Sequence, residues 1–324
     1  MTPDTVLVLR ALGLGDTAAG IAALRGVRRA WPASRLILAA PSWYGGWLAG
    51  LGIVDDVLHT RGLDRLDWTR GGGQVAVNLH GRGPQSHRVL QATGPGRLVA
   101  FRCEAAGHEE GPAWSEDEHE VVRWCRLVSA AGGPCGPEDI RLPRLAPAHG
   151  AVVVHPGAAS ASRRWPELRW REVVRSLNRR GHEVALSGGR NERVLCDRIG
   201  EGLPAVRNLA GRLAVPNLAD VVAGAALLIA GDTGPAHLAT AFGTPSVLLF
   251  GPTPPAQWGP IIDVDRHIVL WNGGPHRGDP HADQIDPALD RIAVAEVLEA
   301  VHHLLDGSLE DVPHPPSGRV GAER

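Results

Sequence analysis

The chain of 324 residues has no lysine; all 33 of its basic residues are arginine. A Schiff-base lysine and a P-loop lysine are therefore both excluded. Cysteine is scarce: Cys103, Cys125, Cys135 and Cys196 form no C-x-x-C pair, which argues against structural zinc and against a disulfide scaffold. Net charge is only −2, too little to suggest a nucleic-acid partner. No Asp-x-Asp pair stands beside an expected strand end, and the histidines lack metal-ligand spacing, so neither metal nor cofactor is expected. No apolar run nears the ~20 residues that cross a bilayer. The first residues lack the basic and long apolar regions of a signal peptide, so a cytoplasmic protein is expected. Arginine and tryptophan would allow peripheral contact with the inner membrane face.

The composition, 44% hydrophobic, suits two α/β domains with a core each. Apolar runs without alternation, as in strands covered on both faces, occur at 5–10, 35–40, 75–79 and 97–101. Helices are expected over 18–30 and 116–131. A stretch rich in proline, glycine and charge, 135–150, reads as a linker. The pattern then restarts, with strands at 151–155, 183–187, 206–209, 227–231 and 246–250. Helices are expected over 166–180, 192–199 and 292–305, and another opens at 232. The expected division is 1–145, 150–305 and a disordered tail over 306–324. Strand–helix alternation in two halves implies two Rossmann-like parallel-sheet domains facing across a cleft. Ligands in such sheets bind beyond the carboxyl ends of the strands, where the polar loops fall.

The richest loop is Asp232-Thr233-Gly234-Pro235-Ala236-His237, between an apolar run and a helix. Free amides at a helix start attract phosphate oxygens; capping alone would also account for Asp232 or Thr233. Gly13-Leu14-Gly15-Asp16 lies after the first strand. Its third glycine is missing, so it is no dinucleotide fingerprint. Asp16 is either an N-cap or a general base at the cleft. In His155-Pro156-Gly157-Ala158-Ala159-Ser160-Ala161-Ser162-Arg163-Arg164-Trp165-Pro166, small residues permit close backbone approach, and two guanidinium forks suit phosphate. There His155 reads as a buried structural residue. Gly188-Gly189-Arg190-Asn191-Glu192 holds a similar position; Glu192 would accept from ribose hydroxyls or merely suit the helix dipole. The proline-rich stretch 250–260 either walls the cleft or returns the chain.

These segments, in this order, resemble glycosyltransferase family 9, the heptosyltransferases that use ADP-heptose. The resemblance rests on Gly15-Asp16 with Ala23-Leu24-Arg25, on His155-Pro156-Gly157, Arg163-Arg164-Trp165-Pro166 and Ser187-Gly188-Gly189, and on Asp232-Thr233-Gly234-Pro235-Ala236-His237 and Phe250-Gly251-Pro252-Thr253. It implies a GT-B fold and inverting, metal-independent transfer from a nucleotide-sugar donor, ADP-linked, to a glycan or glycolipid hydroxyl in lipopolysaccharide core synthesis. Asp16 matches the family's proposed base. Arg163 matches a position usually held by a phosphate-binding lysine. Asp232, Thr233, Gly234 and His237 match residues that hold the donor's sugar and diphosphate, and Glu192 falls near the ribose-binding acid. Ser160, Ser162, Arg164, Gly188 and Pro235 lie in the same segments and are assigned to the donor site. The alternatives are a non-catalytic nucleotide-sugar-binding paralogue and, ranked below it, a nicotinamide-dependent oxidoreductase.

Overall fold

The structure, a computed structural model, describes residues 3–145, 147–274 and 278–307. The tail expected over 306–324 lies outside the described residues from 308 onward. The first half runs β1 (Thr5–Leu9), α1 (Leu14–Ala30), β2 (Arg35–Ala40), α2 (Ser42–Gly50), β3 (Asp56–His59), β4 (Val75–Asn78), α3 (Gln85–Gln91), β5 (Arg97–Val99) and α4 (Glu120–Ala130). The second half runs β6 (Val152–His155), α5 (Glu167–Arg179), β7 (Val184–Leu186), α6 (Arg193–Gly200), β8 (Val206–Asn208), α7 (Val215–Ala223), β9 (Leu227–Gly231), α8 (Gly234–Phe242), β10 (Ser246–Leu249), α9 (Pro255–Trp258), β11 (His267–Leu270), α10 (Pro287–Asp290) and α11 (Val294–Leu305).

Both sheets are parallel, in the orders β3-β2-β1-β4-β5 and β11-β10-β9-β6-β7-β8. Each strand feeds side chains alternately to two covered faces, which is why the runs carry no polar alternation. Val6, Val8, Leu36, Leu38 and Val77 face one layer of the first sheet; Leu7, Leu9, Ile37 and Ala76 face the other. In the second sheet, Val152, Val154, Ile229 and Leu249 oppose Val153, Leu228, Ala230 and Leu248 in the same way. Strand order reverses direction beside β1 in one sheet and between β6 and β9 in the other. At such switch points neighbouring loops diverge and leave a crevice. The loops after β1, β6 and β9 carry three of the polar motifs.

Two expected boundaries move for identifiable reasons. Helix α1 starts at Leu14 rather than 18, so Asp16 is not the N-cap; it sits in the first turn, and its carboxylate accepts from the Gly13 amide at 3.2 Å. Helix α4 starts at Glu120 rather than 116. The Arg123 guanidinium takes up the Ser115, Glu116 and Glu118 carbonyls, so that stretch straps the flank of the helix. His119 caps α4, its Nδ1 accepting from the Val121 amide, so Nε2 carries the hydrogen and donates to Gly259 O at 3.0 Å in the other half.

The segment expected as a linker is bonded to the second half. Leu142 N donates to Ala241 O at 2.8 Å. Arg144 grips the carbonyls of Phe242 and Gly243 at the end of α8, both at 2.9 Å. Arg141 forks onto Asp263 at 2.6 and 2.9 Å. No helix among the described residues is long and apolar enough to cross a membrane.

Candidate active site

A cavity of about 410 Å³ opens between the two sheets. Its floor is where the first turns of α1 and α8 meet. Gly15 lies under the His237 ring, where an added Cβ would come within 2.8 Å of Cδ2. Leu14 packs on Gly234 as tightly, with only 2.9 Å for a Cβ there. Glycine at both positions lets two helix N-termini, each with partial positive charge, converge on one space.

From the first half, Asp16 lines the cavity. Burial pushes its carboxyl above the ordinary range, and Glu120 adds to this; Arg10, His237 and the Gly13 amide pull it back. A carboxylate so placed is a better proton acceptor than one in water.

From the second half come Arg163, Asp232, Thr233, Gly234 and His237. Thr233 does not cap α8. Its hydroxyl bonds Gly231 O at 3.2 Å; Pro235 has no N–H and Ala236 N donates to Thr233 O, so the amides left without a side-chain acceptor are those of Thr233 and Gly234. Arg163 Nη1 donates to Asp232 O at 3.2 Å, and its Nε is buried with no partner. Asp232 is buried, with Oδ1 3.6 Å from His237 Nε2. The indole of Trp258 meets the His237 ring edge-on at 5.7 Å.

At the far end, Glu192 lines the cavity with His155, Ala158 and Ala159. Its Oε2 accepts from the Gly189 amide at 2.6 Å, and its carboxylate lies over Gly157, where any Cβ would overlap it. His155, read from sequence as structural, is buried and also lines the cavity. Its Nδ1 pairs with Ser187 Oγ at 3.0 Å, and burial holds it below the ordinary histidine range.

Other expected site residues stand back from the cavity. Arg164 turns its guanidinium onto the carbonyls of Ala158 and Ala159, at 2.8 and 3.0 Å, and so shapes that loop. Ser160 opens the short 3-10 turn Ala161–Arg163, within which Ser162 is buried. Gly188 lies behind Glu192, 3.0 Å being left for a Cβ, and Pro235 is buried in the first turn of α8. The structure adds Gly13, Leu14, Thr253, Trp258, Pro280 and His281 to the lining. Pro280 and His281 come from a loop with no local motif. Among the described residues no three His, Cys, Asp or Glu side chains group as a metal site would require.

A sequence model of glycosyltransferase family 9 (heptosyltransferase) matches residues 115–281, just over half of the chain. The chain is 34% identical over 164 residues to a lipopolysaccharide heptosyltransferase 3 of Escherichia coli, a match covering 48% of this chain and 47% of that one. It thus spans about half the length of the curated relatives it matches. Among solved structures, a glycosyl transferase family 9 protein from Veillonella parvula superposes with TM-score 0.73 at 17% identity, covering 94% of this chain and 98% of that one. The E. coli heptosyltransferase WaaC with ADP superposes with TM-score 0.71 at 18% identity, over 93% and 99%. The two facing parallel sheets are the GT-B arrangement these structures share.

Proposed function

The chain belongs to glycosyltransferase family 9, and from that premise we propose that it moves a sugar from a nucleotide-sugar donor to a glycan or glycolipid hydroxyl, with inversion and without a metal ion. The donor is ADP-linked heptose, by analogy with relatives described as heptosyltransferases, one of them solved with ADP. One observation carries the reading. A carboxylate with raised proton affinity, Asp16, shares a cavity with an uncapped helix start and the partly unpartnered guanidinium of Arg163.

In this reading residues 150–305 hold the donor. Glu192 accepts from ribose hydroxyls, and the α8 amides with Arg163 hold the diphosphate. Asp232 and His237 orient the sugar. Residues 1–145 present the acceptor. Asp16 takes the proton from its hydroxyl as the oxygen attacks the anomeric carbon from the face opposite the diphosphate. The charge that builds on the departing nucleotide falls on amides and a guanidinium already in place, so little reorganisation is required. Positive charge from these groups stands where other transferases use a metal.

The test is transfer from ADP-heptose to a truncated lipopolysaccharide core, with and without EDTA, in wild type and Asp16→Asn. The expected result is EDTA-resistant transfer that Asp16→Asn abolishes while ADP binding persists. Transfer that survives Asp16→Asn removes the base. ADP binding with no transfer to any acceptor supports the non-catalytic alternative.

A further inference from the structure

The region behind Asp16 holds charges that the transfer reaction does not use directly. Arg10 follows β1 and is 1% exposed. Its Nε donates to the main-chain carbonyl of Asp16 at 2.6 Å. Nη1 donates to the Leu79 carbonyl just beyond β4, and Nη2 to Glu120 Oε1 at 3.2 Å. Glu120, also buried, accepts in addition from Trp124 Nε1 and Arg123 Nη1, both at 2.5 Å. The Arg10 guanidinium lies 5.2 Å from the centre of the Trp124 ring. Helix α1 leaves space for this side chain by having glycine at position 20.

Stability does not account for such an arrangement. Taking an ion pair out of water costs roughly what the pair returns, and well-packed apolar residues usually serve as well or better. What the arrangement does is local: it ties the main chain of Asp16, the residue whose carboxylate lines the cavity, to that of Leu79 just beyond β4.

We propose that Arg10, itself held by Glu120, is a positioning residue for Asp16, fixing the peptide from which the carboxylate projects and placing a compensated charge pair behind it. This inference rests on the reading of Asp16 as the base. Every element around Asp16 contributes a group: Arg10 from the loop after β1, Glu120 from α4, His237 from α8 and Tyr44 from α2. His80 lies beside Arg10, and His119 beside Glu120 and His237. Of these, Arg10 and Glu120 act on Asp16 in opposite senses, Arg10 lowering its proton affinity and Glu120 raising it. Their balance leaves burial as the governing influence and keeps the carboxylate basic.

Two substitutions separate the contributions. Glu120→Gln leaves Arg10 uncompensated, and the titration midpoint of Asp16 falls by about one pH unit. It is read by carboxyl carbon-13 NMR, with the resonance identified by its loss in Asp16→Asn. Arg10→Lys keeps the charge but not the fork. The midpoint stays within about 0.3 unit, while kcat with ADP-heptose falls about tenfold and the donor KM stays within about twofold. A folded Glu120→Gln protein whose Asp16 midpoint does not move overturns the proposal. So does an Arg10→Lys protein with unchanged kcat, and that variant decides the matter alone if Glu120→Gln does not fold. If Asp16→Asn leaves transfer intact, the base reading fails; the Asp16 titration still reports whether the pair governs that carboxylate.

Discussion

Replacing a helical glycine by alanine ordinarily stabilises a helix by up to about 1 kcal/mol. At Gly20 the sign should reverse. An added Cβ would lie 2.5 Å from Arg10 Nε and 2.6 Å from Cδ. The end of a long side chain usually swings away from such a clash at little cost. Arg10 has nowhere to go, being 1% exposed and bonded to Asp16 O, Leu79 O and Glu120. Breaking a buried ion pair costs about 3–5 kcal/mol. Subtracting the helix gain leaves a loss of about 2–4 kcal/mol. On a scale of 2–4 °C per kcal/mol, the melting temperature of Gly20→Ala should fall by roughly 4–16 °C. Thermal and urea denaturation of the single variant, of Arg10→Met and of the double variant complete a cycle. In the Arg10→Met background the side chain is no longer tethered by hydrogen bonds and can turn away from position 20, so the loss caused by alanine there should largely disappear. A Gly20→Ala protein as stable as wild type would refute the view that Arg10 is locked in place.

Four further outcomes are expected. Asp16 holds its proton more tightly folded than unfolded, so its stabilising contribution is complete below pH 3.8 and vanishes as pH rises through the raised value. Asp16→Asn should therefore melt higher than wild type at pH 8 and lose the advantage toward pH 4; an equal or lower melting point at pH 8 contradicts the assigned burial. Arg163→Ala should weaken ADP binding by roughly 10- to 100-fold, as for a lost charge-assisted hydrogen bond, and calorimetry showing undiminished affinity excludes the phosphate contact. Gly157→Ala should displace the Glu192 carboxylate from the Gly189 amide and cost about tenfold in ADP affinity with the fold retained; equal affinity would take Glu192 out of the ribose site. Burial pushes His80 and His267 down to about 4, so the stability they give as neutral rings is full above 6.5 and lost as pH falls from 6.5 to 4. His267→Gln should flatten the melting-temperature slope in that window, and an unchanged slope would show that His267 titrates normally.

The sequence displayed the architecture where both faces of a strand are covered and the run is purely apolar, as in β1, β6 and β9. It hid the elements whose stability is tertiary. Helix α2 contains Gly45, Gly46 and Gly50, an unfavourable helix composition. It forms because Gly45 lets the helix settle on Val57, with 2.7 Å left for a Cβ. Strands β3 and β11 lie at sheet edges, four residues each, with partly exposed side chains and little pattern to read. In the cavity, the residues legible beforehand were those in motifs of strand–helix junctions: Asp16, Arg163, Glu192, Asp232, Thr233, Gly234 and His237. Arg164 looked equivalent to Arg163, but its neighbouring carbonyls claimed it, which only the path of the loop could reveal. Arg10 and Glu120 are 110 positions apart and share no local signal.

The bonds from Leu142 and Arg144 are made at the carboxyl end of α8, whereas the cavity lies at its amino end. Nine residues of helix separate the two, a rod of ~13 Å at 1.5 Å per residue. The clasp and the cavity thus sit at opposite ends of one helix. A swing of ~10° about the clasp would displace the cavity end by ~2 Å, the scale on which a hydroxyl passes from contact to attack distance.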